Sequence, residues 1–511
     1  MKTFRYILIV SAMLSFTSCF EDESTYATSP ISEISIDESS IERVYNIDKN
    51  DTLRIIPQIT QKNEELPLSY QWELNQEVVS TDKVFCYVGK DLGVFNARLI
   101  VENEDGKAFF IFTLNVNSPY EYGVTILSKD TDNRPHIAFM QEPMTEGAEA
   151  KFYEENCLEK NNPEQFFASN PSDIVHTKGS LIVACQGDDT KADDAPAIYF
   201  LNEKTFVVEN LIVVNEYEGF KPTKLLIPFY NSSGLSYPVL SADGKMYSLP
   251  TSSDAVLQPS AQFTSTYAQT AFVRGVNAGN YDINVWDKDI NGLAVLYNNY
   301  GPYYCGKTYL LNRDSVAKDT YFEKNFSKLK GIRTLTYINK TPSQLNTGHS
   351  EMIAIVEASL RLQKAIIGTF FWRRIEGAID EYEVLDNGKE FSTKAASKSY
   401  NLINENTPCI ANATYETMLF PNGNKVLRWY YNKANHDLED ADELLTVGSD
   451  DAIITSFEIS EDHTKTYVAF YEPNQEGKNG SVCVFETNTG KVLEQYDNVC
   501  YQPVKMIYKK K

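Results

Sequence analysis

Histidine is scarce: five in 511 residues, at positions 136, 176, 349, 436 and 463, none near another in the chain. The eight cysteines contain no C-x-x-C and form no cluster with histidine, which excludes the familiar zinc and thiol-redox patterns. There is no G-x-S-x-G nucleophile elbow, H-E-x-x-H, P-loop or dinucleotide fingerprint, so no catalytic residue and no cofactor is assigned from motifs. Positive charge is in deficit: 47 Lys and Arg against 70 Asp and Glu give a formal charge of −23. Such a surface repels nucleic acid and anionic lipid headgroups, and neither is an expected partner. No apolar run reaches the ~20 residues of a membrane-spanning helix. Helical stripes are rare, and one short helix is expected to start near Asn162, with Pro163 in its first turn.

What the chain does have begins at its N-terminus. Lys2 and Arg5 precede an apolar stretch over residues 6–16, which closes on Thr17 and Ser18. Those three regions are those of a cleaved export signal. Cys19 follows directly, then Glu21, Asp22 and Glu23. The cysteine after small residues resembles the lipobox of bacterial lipoproteins, and the acidic run resembles the surface-export signal of Bacteroidetes lipoproteins. The expectation is a signal over residues 1–18, a diacylated Cys19 that anchors the chain to the membrane, and an acidic tether over residues 19–28. Several acyl chains give stable anchoring where one gives only reversible binding. Removing residues 1–18 deletes two basic residues and no acid, and takes the charge to −25. Seven cysteines would then remain, an odd number that cannot pair completely, and several, such as Cys185 and Cys483, lie within apolar runs where a thiol packs as a small core residue.

Aromatic and β-branched residues abound, with 32 Tyr and 27 Phe, in short alternating runs that read as strands. Between residues 29 and 118 the runs are ISEISID, TLRIIPQI, YQWELN, VFCYV, VFNARLIVEN and AFFIFTLNVN. Their spacing predicts a β-sandwich, with Asp105-Gly106 marking a hairpin and Trp72 pinning the core. The succession of TLRIIPQI, Tyr70 and Trp72 in YQWELN, then Gly93 before VFNARLIVEN resembles the PKD-like, immunoglobulin-like domain that opens a family of Bacteroidetes lipoproteins. A short linker over residues 117–121 would separate it from the rest.

The remaining 393 residues, 119–511, repeat a β unit. Its clearest copy is IITSFEI, TYVAFY, SVCVFE and KVLEQY, four strands between residues 453 and 496; an earlier copy is DIVH, SLIVACQ, AIYFL and TFVVE, between 173 and 209. Repeated four-stranded units are what a β-propeller needs, because one blade cannot bury both its faces alone. At about 45 to 55 residues per blade the segment would hold seven or eight. PVKMIY at 503–508 is expected to pair with YGVTILS at 122–128 and close the ring, leaving no open edge. Two further sandwich domains are the alternative. The fold class is all-β in either case.

Candidate chemistry is thin. Asp287, Asp289, Asn291 and Gly292 in DKDING are spaced like the start of a calcium loop, but position twelve is Asn298 where glutamate is wanted, so an Asp- and Asn-rich β-turn is the preferred reading. Asp380, Glu381 and Glu383 read as solvated surface in so acidic a chain. Trp372 beside Arg373 and Arg374, and Trp429 beside Tyr430 and Tyr431, combine rings with donors that suit sugars or peptides; Trp372, Trp429 and Tyr430 are the candidate ligand contacts. DTL and DSV place Thr52 and Ser315 in a short pattern similar to the Bacteroidetes O-glycan acceptor.

PKD-like lipoproteins of this architecture resemble accessory surface proteins of SusCD-type importers, in which a TonB-dependent SusC-like barrel is capped by a SusD-like lipoprotein. The resemblance implies a non-enzymatic binder of oligopeptide or glycan, anchored at the outer membrane and facing the cell exterior. The alternative is a surface hydrolase, a peptidase or glycosidase, with its site in the propeller funnel. Propellers host both enzymes and scaffolds.

Overall fold

In the computed structural model the described residues are 30–509, apart from 143–150, 154–155, 228–236, 250–255, 261–262, 278–279, 290, 299–306, 311–329, 345–348, 360–361, 375–381, 387–388, 395–397 and 434–437. Cys19, Ser315, Asp380 and Glu381 lie outside them. The chain divides into two compact units, Met1–Ser118 and Pro119–Lys511. Strands account for nearly all regular structure in both, and no helix among the described residues is long and apolar enough to cross a membrane.

Unit one is built on a five-stranded sheet, ordered Val44–Asp48, Gly106–Asn117, Gly93–Asn103, Ser69–Leu74, Glu77–Ser80. The first pair is parallel and the others antiparallel. Thr52–Ile55 pairs with Phe85–Val88, and Glu33–Ile36 with Ile59–Lys62, in two further ladders. Pro57 sits where the TLRIIPQI run breaks between two ladders, as a residue without a backbone donor must. Period-two alternation sends Ala97, Leu99, Val101, Phe110, Phe112 and Leu114 inward. Trp72 is buried among them, stacked on Phe85 at 4.7 Å, its indole donating to the carbonyl of Asp82 at 2.9 Å. At the hairpin the expected use of glycine does not occur: the turn is Glu104-Asp105, and the Asn103 side chain closes it by accepting from the amides of Asp105 and Gly106.

Unit two is a succession of antiparallel meanders. Pro171–Thr177, Ser180–Cys185, Ala197–Asn202 and Val208–Val213 form one four-stranded sheet. Pro222–Leu225, Tyr237–Ser241, Met246–Leu249 and Gln258–Pro259 form the next, followed by Tyr267–Asn277, Asn280–Asp287, Gly292–Asn298 and Lys307–Leu310. A nine-stranded sheet comes after, in which Gly331–Asn339 and Ile410–Asn412 join two meanders through a short parallel contact, Ile338 beside Ala411 and Asn339 beside Asn412. Ile453–Ile459, Lys465–Tyr471, Gly480–Glu486 and Val492–Cys500 make the last complete meander.

The remaining sheet joins the two ends of the unit. Gln502–Lys509 pairs antiparallel with Gly123–Lys129, which continues to Pro135–Gln141 and Lys151–Tyr153. This is the topology of a β-propeller: each meander buries its two faces against its neighbours, and the C-terminal strand completes the first sheet. Separate clusters fill the spaces between successive sheets, one of them holding Val124, Ala138, Tyr467, Val484 and Met506.

The short helix differs from expectation. It spans Cys157–Asn161 and ends at Asn162 instead of starting there. Asn156 caps it by accepting from the amide of Leu158, and the Asn162 side chain donates to the carbonyls of Leu158 and Phe206. The strand expected at 205–209 starts only at Val208, because Phe206 adopts a φ of 56° and turns its ring into the core.

Candidate functional site

The first strand of each meander, together with Gln502–Lys509, lines one central channel of about 630 Å3. The strands are Pro171–Thr177, Pro222–Leu225, Tyr267–Asn277, Gly331–Asn339, Ile410–Asn412, Ile453–Ile459 and Gln502–Lys509. An innermost strand has a free edge, and short polar side chains satisfy it by bonding across to the next strand. Thr270 Oγ1 accepts from the amide of Leu335 at 2.7 Å. Thr223 donates to Gln269 Oε1 at 2.6 Å, and the amide of Gln269 donates to Glu405 at 2.8 Å. Ser456 Oγ accepts from the amide of Met506 at 3.0 Å. These residues give the channel a largely polar wall.

Three charged residues on neighbouring strands stand out. Asp173 is buried, and both its oxygens are engaged: Oδ1 accepts from Lys505 Nζ at 2.5 Å and Oδ2 from the amide of Leu225 at 2.6 Å. A buried carboxylate needs this many donors to be tolerated. Lys224, one residue before Leu225, lines the same channel. Crowding by protein holds its ammonium below the ordinary lysine range, partly offset by Asp173 and reinforced by Lys505. Glu405 and Glu458 also line the channel, and Glu405 is paired with Lys288 at 3.1 Å.

Two smaller recesses lie elsewhere in the unit. One, about 330 Å3, holds the Tyr467 hydroxyl donating to Glu142, which Lys465 faces at 3.5 Å; burial, then Glu142, drives the tyrosine far upward. The other, about 230 Å3, holds His136, bonded to Asp130 at 3.1 Å and against the ring of Tyr501.

The residues singled out from sequence fall elsewhere. Trp429 is fully buried in the core between Lys425–Tyr430 and its neighbours, so it is not a ligand contact. Alternation decides this: Leu427, Trp429 and Tyr431 share the face that packs into this core, while Tyr430, between them, stays half-buried with Arg428 over its ring at 4.8 Å and Lys433 at 5.6 Å. Neither residue lines the channel. Trp372 stands in Leu362–Arg374, and its side chain lies outside the described residues, as does that of Glu383 in Tyr382–Asp386.

Asp287 and Gly292 pair across a hairpin. Asp287 accepts from the amide of Asp289 within the turn, and Asp289 accepts from that of Thr266, tying the turn to the start of Tyr267–Asn277. No grouping of three His, Cys, Asp or Glu suited to a metal occurs among the described residues. Cys157, Cys185, Cys483 and Cys500 are buried thiols, and burial pushes Cys483 up to about 11 and Cys500 to about 12. Cys86 is exposed.

Asp173, Lys224 and Lys505 were not legible as a site. The only signal is that Asp173 and Lys505 each place a charge in an otherwise apolar strand, DIVH and PVKMIY.

Comparison with known proteins places these sheets among distant look-alikes. No family model matches the chain, and no curated protein does. Among solved structures, a quinonprotein alcohol dehydrogenase-like protein from Bacteroides thetaiotaomicron is 13% identical, over 93% of this chain and 99% of that one, with a TM-score of 0.43. A periplasmic gluconolactonase of Pseudomonas aeruginosa is 13% identical over 76% and 99%, also at 0.43, and a Dos1 propeller is 12% identical over 74% and 96%, at 0.34. Likeness this distant says nothing of activity.

Proposed function

We propose that this chain is a lipid-anchored outer-membrane protein that binds a small polar solute, an oligopeptide or a glycan, in the central channel. In this reading it serves a SusCD-type importer as a non-enzymatic accessory subunit. The observation that carries the binding role is the channel itself: about 630 Å3, open to solvent groups, walled by hydroxyls, amides and a few charges. Binding sites of this size use a small number of placed polar groups to fix orientation. The anchoring and the importer rest on the sequence around Cys19 and on the PKD-like resemblance.

Two finer assignments belong to the same reading. The nine-stranded sheet divides at the parallel contact between Gly331–Asn339 and Ile410–Asn412 into two meanders, which gives seven blades counted by innermost strands. Unit one is a PKD-like immunoglobulin-type sandwich, its inner faces meeting around Trp72, Phe85 and Phe112.

The test is purification of the tagged, lipidated protein from mild-detergent outer membranes, followed by mass spectrometry. Co-purification of a TonB-dependent barrel with its lipoprotein lid is expected, together with loss of both and release to the soluble fraction in Cys19→Ala. Recovery of the protein alone, from membranes in which the barrel is demonstrably present, overturns the importer role. Turnover of peptides or glycans by the soluble chain overturns the non-enzymatic one.

A further inference from the structure

We propose that Lys224 is a recognition site for a single carboxylate of the channel's ligand. The inference rests on the channel-binding reading above and adds the charge of what is bound. Two lysines and one aspartate lie on three adjacent inner strands: Lys505 on Gln502–Lys509, Asp173 on Pro171–Thr177, Lys224 on Pro222–Leu225. Asp173 is spent, one oxygen on Lys505 and the other on the amide of Leu225. Among the described residues no hydrogen-bond acceptor or carboxylate partner stands at Lys224 Nζ.

A cation crowded by protein, whose nearby carboxylate is already bonded to another lysine, is only partly compensated, and a bound anion relieves the remainder. The charges acting on Lys224 are Asp173 and Lys505; Glu405 and Glu458, elsewhere on the wall, do not act on it, and Glu405 is already met by Lys288. The local excess is therefore one positive charge, which matches one carboxylate. The carboxylates available in the proposed ligand classes are a peptide C-terminus and a uronic acid.

The experiment is calorimetric titration of the soluble chain from residue 20 onward with four probes: N-acetyl-trialanine, its neutral C-terminal amide, trigalacturonate and neutral maltotriose. At least one acid is expected to bind at least tenfold more tightly than its neutral counterpart, and which one does separates the peptide from the sugar source. Lys224→Gln should lower that affinity at least tenfold and leave binding of the neutral probe unchanged. Dimethyl-lysine carbon resonances give a second readout: the acid should shift the Lys224 titration upward and leave the other lysines in place. Circular dichroism and melting of Lys224→Gln and Lys224→Met check that the fold survives. Equal binding of acid and neutral probes, or acid binding indifferent to Lys224, overturns the carboxylate site and leaves the channel as a binder. Absence of binding by all four overturns both.

Discussion

At the scale of single residues, adjacent side chains on one strand carry opposite duties. Trp429 fills the core and Tyr430 rests on the surface beneath Arg428. Trp429→Ala is expected to cost about 3–5 kcal/mol, the usual loss for a large buried aromatic, and Tyr430→Ala less than about 1 kcal/mol, the worth of an exposed cation–π contact. Urea unfolding of the two variants checks this, and equal losses would refute the placement. Lys509 is a second informative residue. It is buried, its ammonium donating to the carbonyls of Tyr120 and Glu203 between the rings of Phe139 and Phe206. Burial, opposed by Glu203 and Glu121, brings it down to about 8. Unfolded lysine titrates near ~10.4. Between those values the unfolded chain binds more protons than the folded one, so this residue makes stability rise with pH from about 8 to 10, by up to about 1.4 kcal/mol per pH unit. Below pH 8 the charged form is present in both states and its cost is constant. Lys509→Met should flatten that rise; the difference between wild-type and variant slopes, measured by denaturation at pH 7 to 10, isolates it from the tyrosines that titrate higher.

At the scale of elements, the strands were legible because alternation is local. IITSFEI, TYVAFY and SVCVFE each mark a strand to within a residue of Ile453–Ile459, Lys465–Tyr471 and Gly480–Glu486. PVKMIY pairs with the run opened by Gly123, as the ring-closing pattern requires. What failed locally did so through side-chain capping that composition does not reveal. Asn156 and Asn162 place the helix entirely before the expected start, and Asn103 replaces the expected glycine in the hairpin. Backbone conformation at the closing sheet gives the next prediction. Gly123 has a φ of +140°, and a Cβ there would collide with the carbonyl of Met140, which precedes its ladder partner Gln141. Gly123→Ala should therefore destabilise by about 2 kcal/mol or more, as substitutions at strained backbone positions do. At Gly331, where an added Cβ meets nothing, the same change should stay within about 0.5 kcal/mol. Melting temperatures decide it, and similar shifts for both would contradict the geometry of the closing ladder.

At the scale of the molecule, the channel was invisible in the chain because its members meet only after folding: Asp173 and its partner Lys505 are 332 residues apart. No periodicity or motif spans that distance, whereas the two-unit division shows in the change from irregular strand lengths to repeated meanders. The same division is testable by physics alone. The first unit has its own core, in which Leu99, Val101 and Leu114 are fully buried and Trp72 stacks on Phe85. A unit with a closed core folds without its neighbour. Residues 30–118 contain a single tryptophan, Trp72, so its fluorescence reports this core and no other. Expressed alone, that fragment should show the blue-shifted emission of a buried indole and one cooperative urea transition. Trp72→Phe, followed by circular dichroism because it removes the fluorophore, should keep the fold at a lower midpoint, since the indole bond to the Asp82 carbonyl is lost and the stacking is kept. Red-shifted emission with a gradual, non-cooperative loss of signal would mean that the first unit depends on the rest of the chain, and the division at Ser118 would not then mark an independent folding unit.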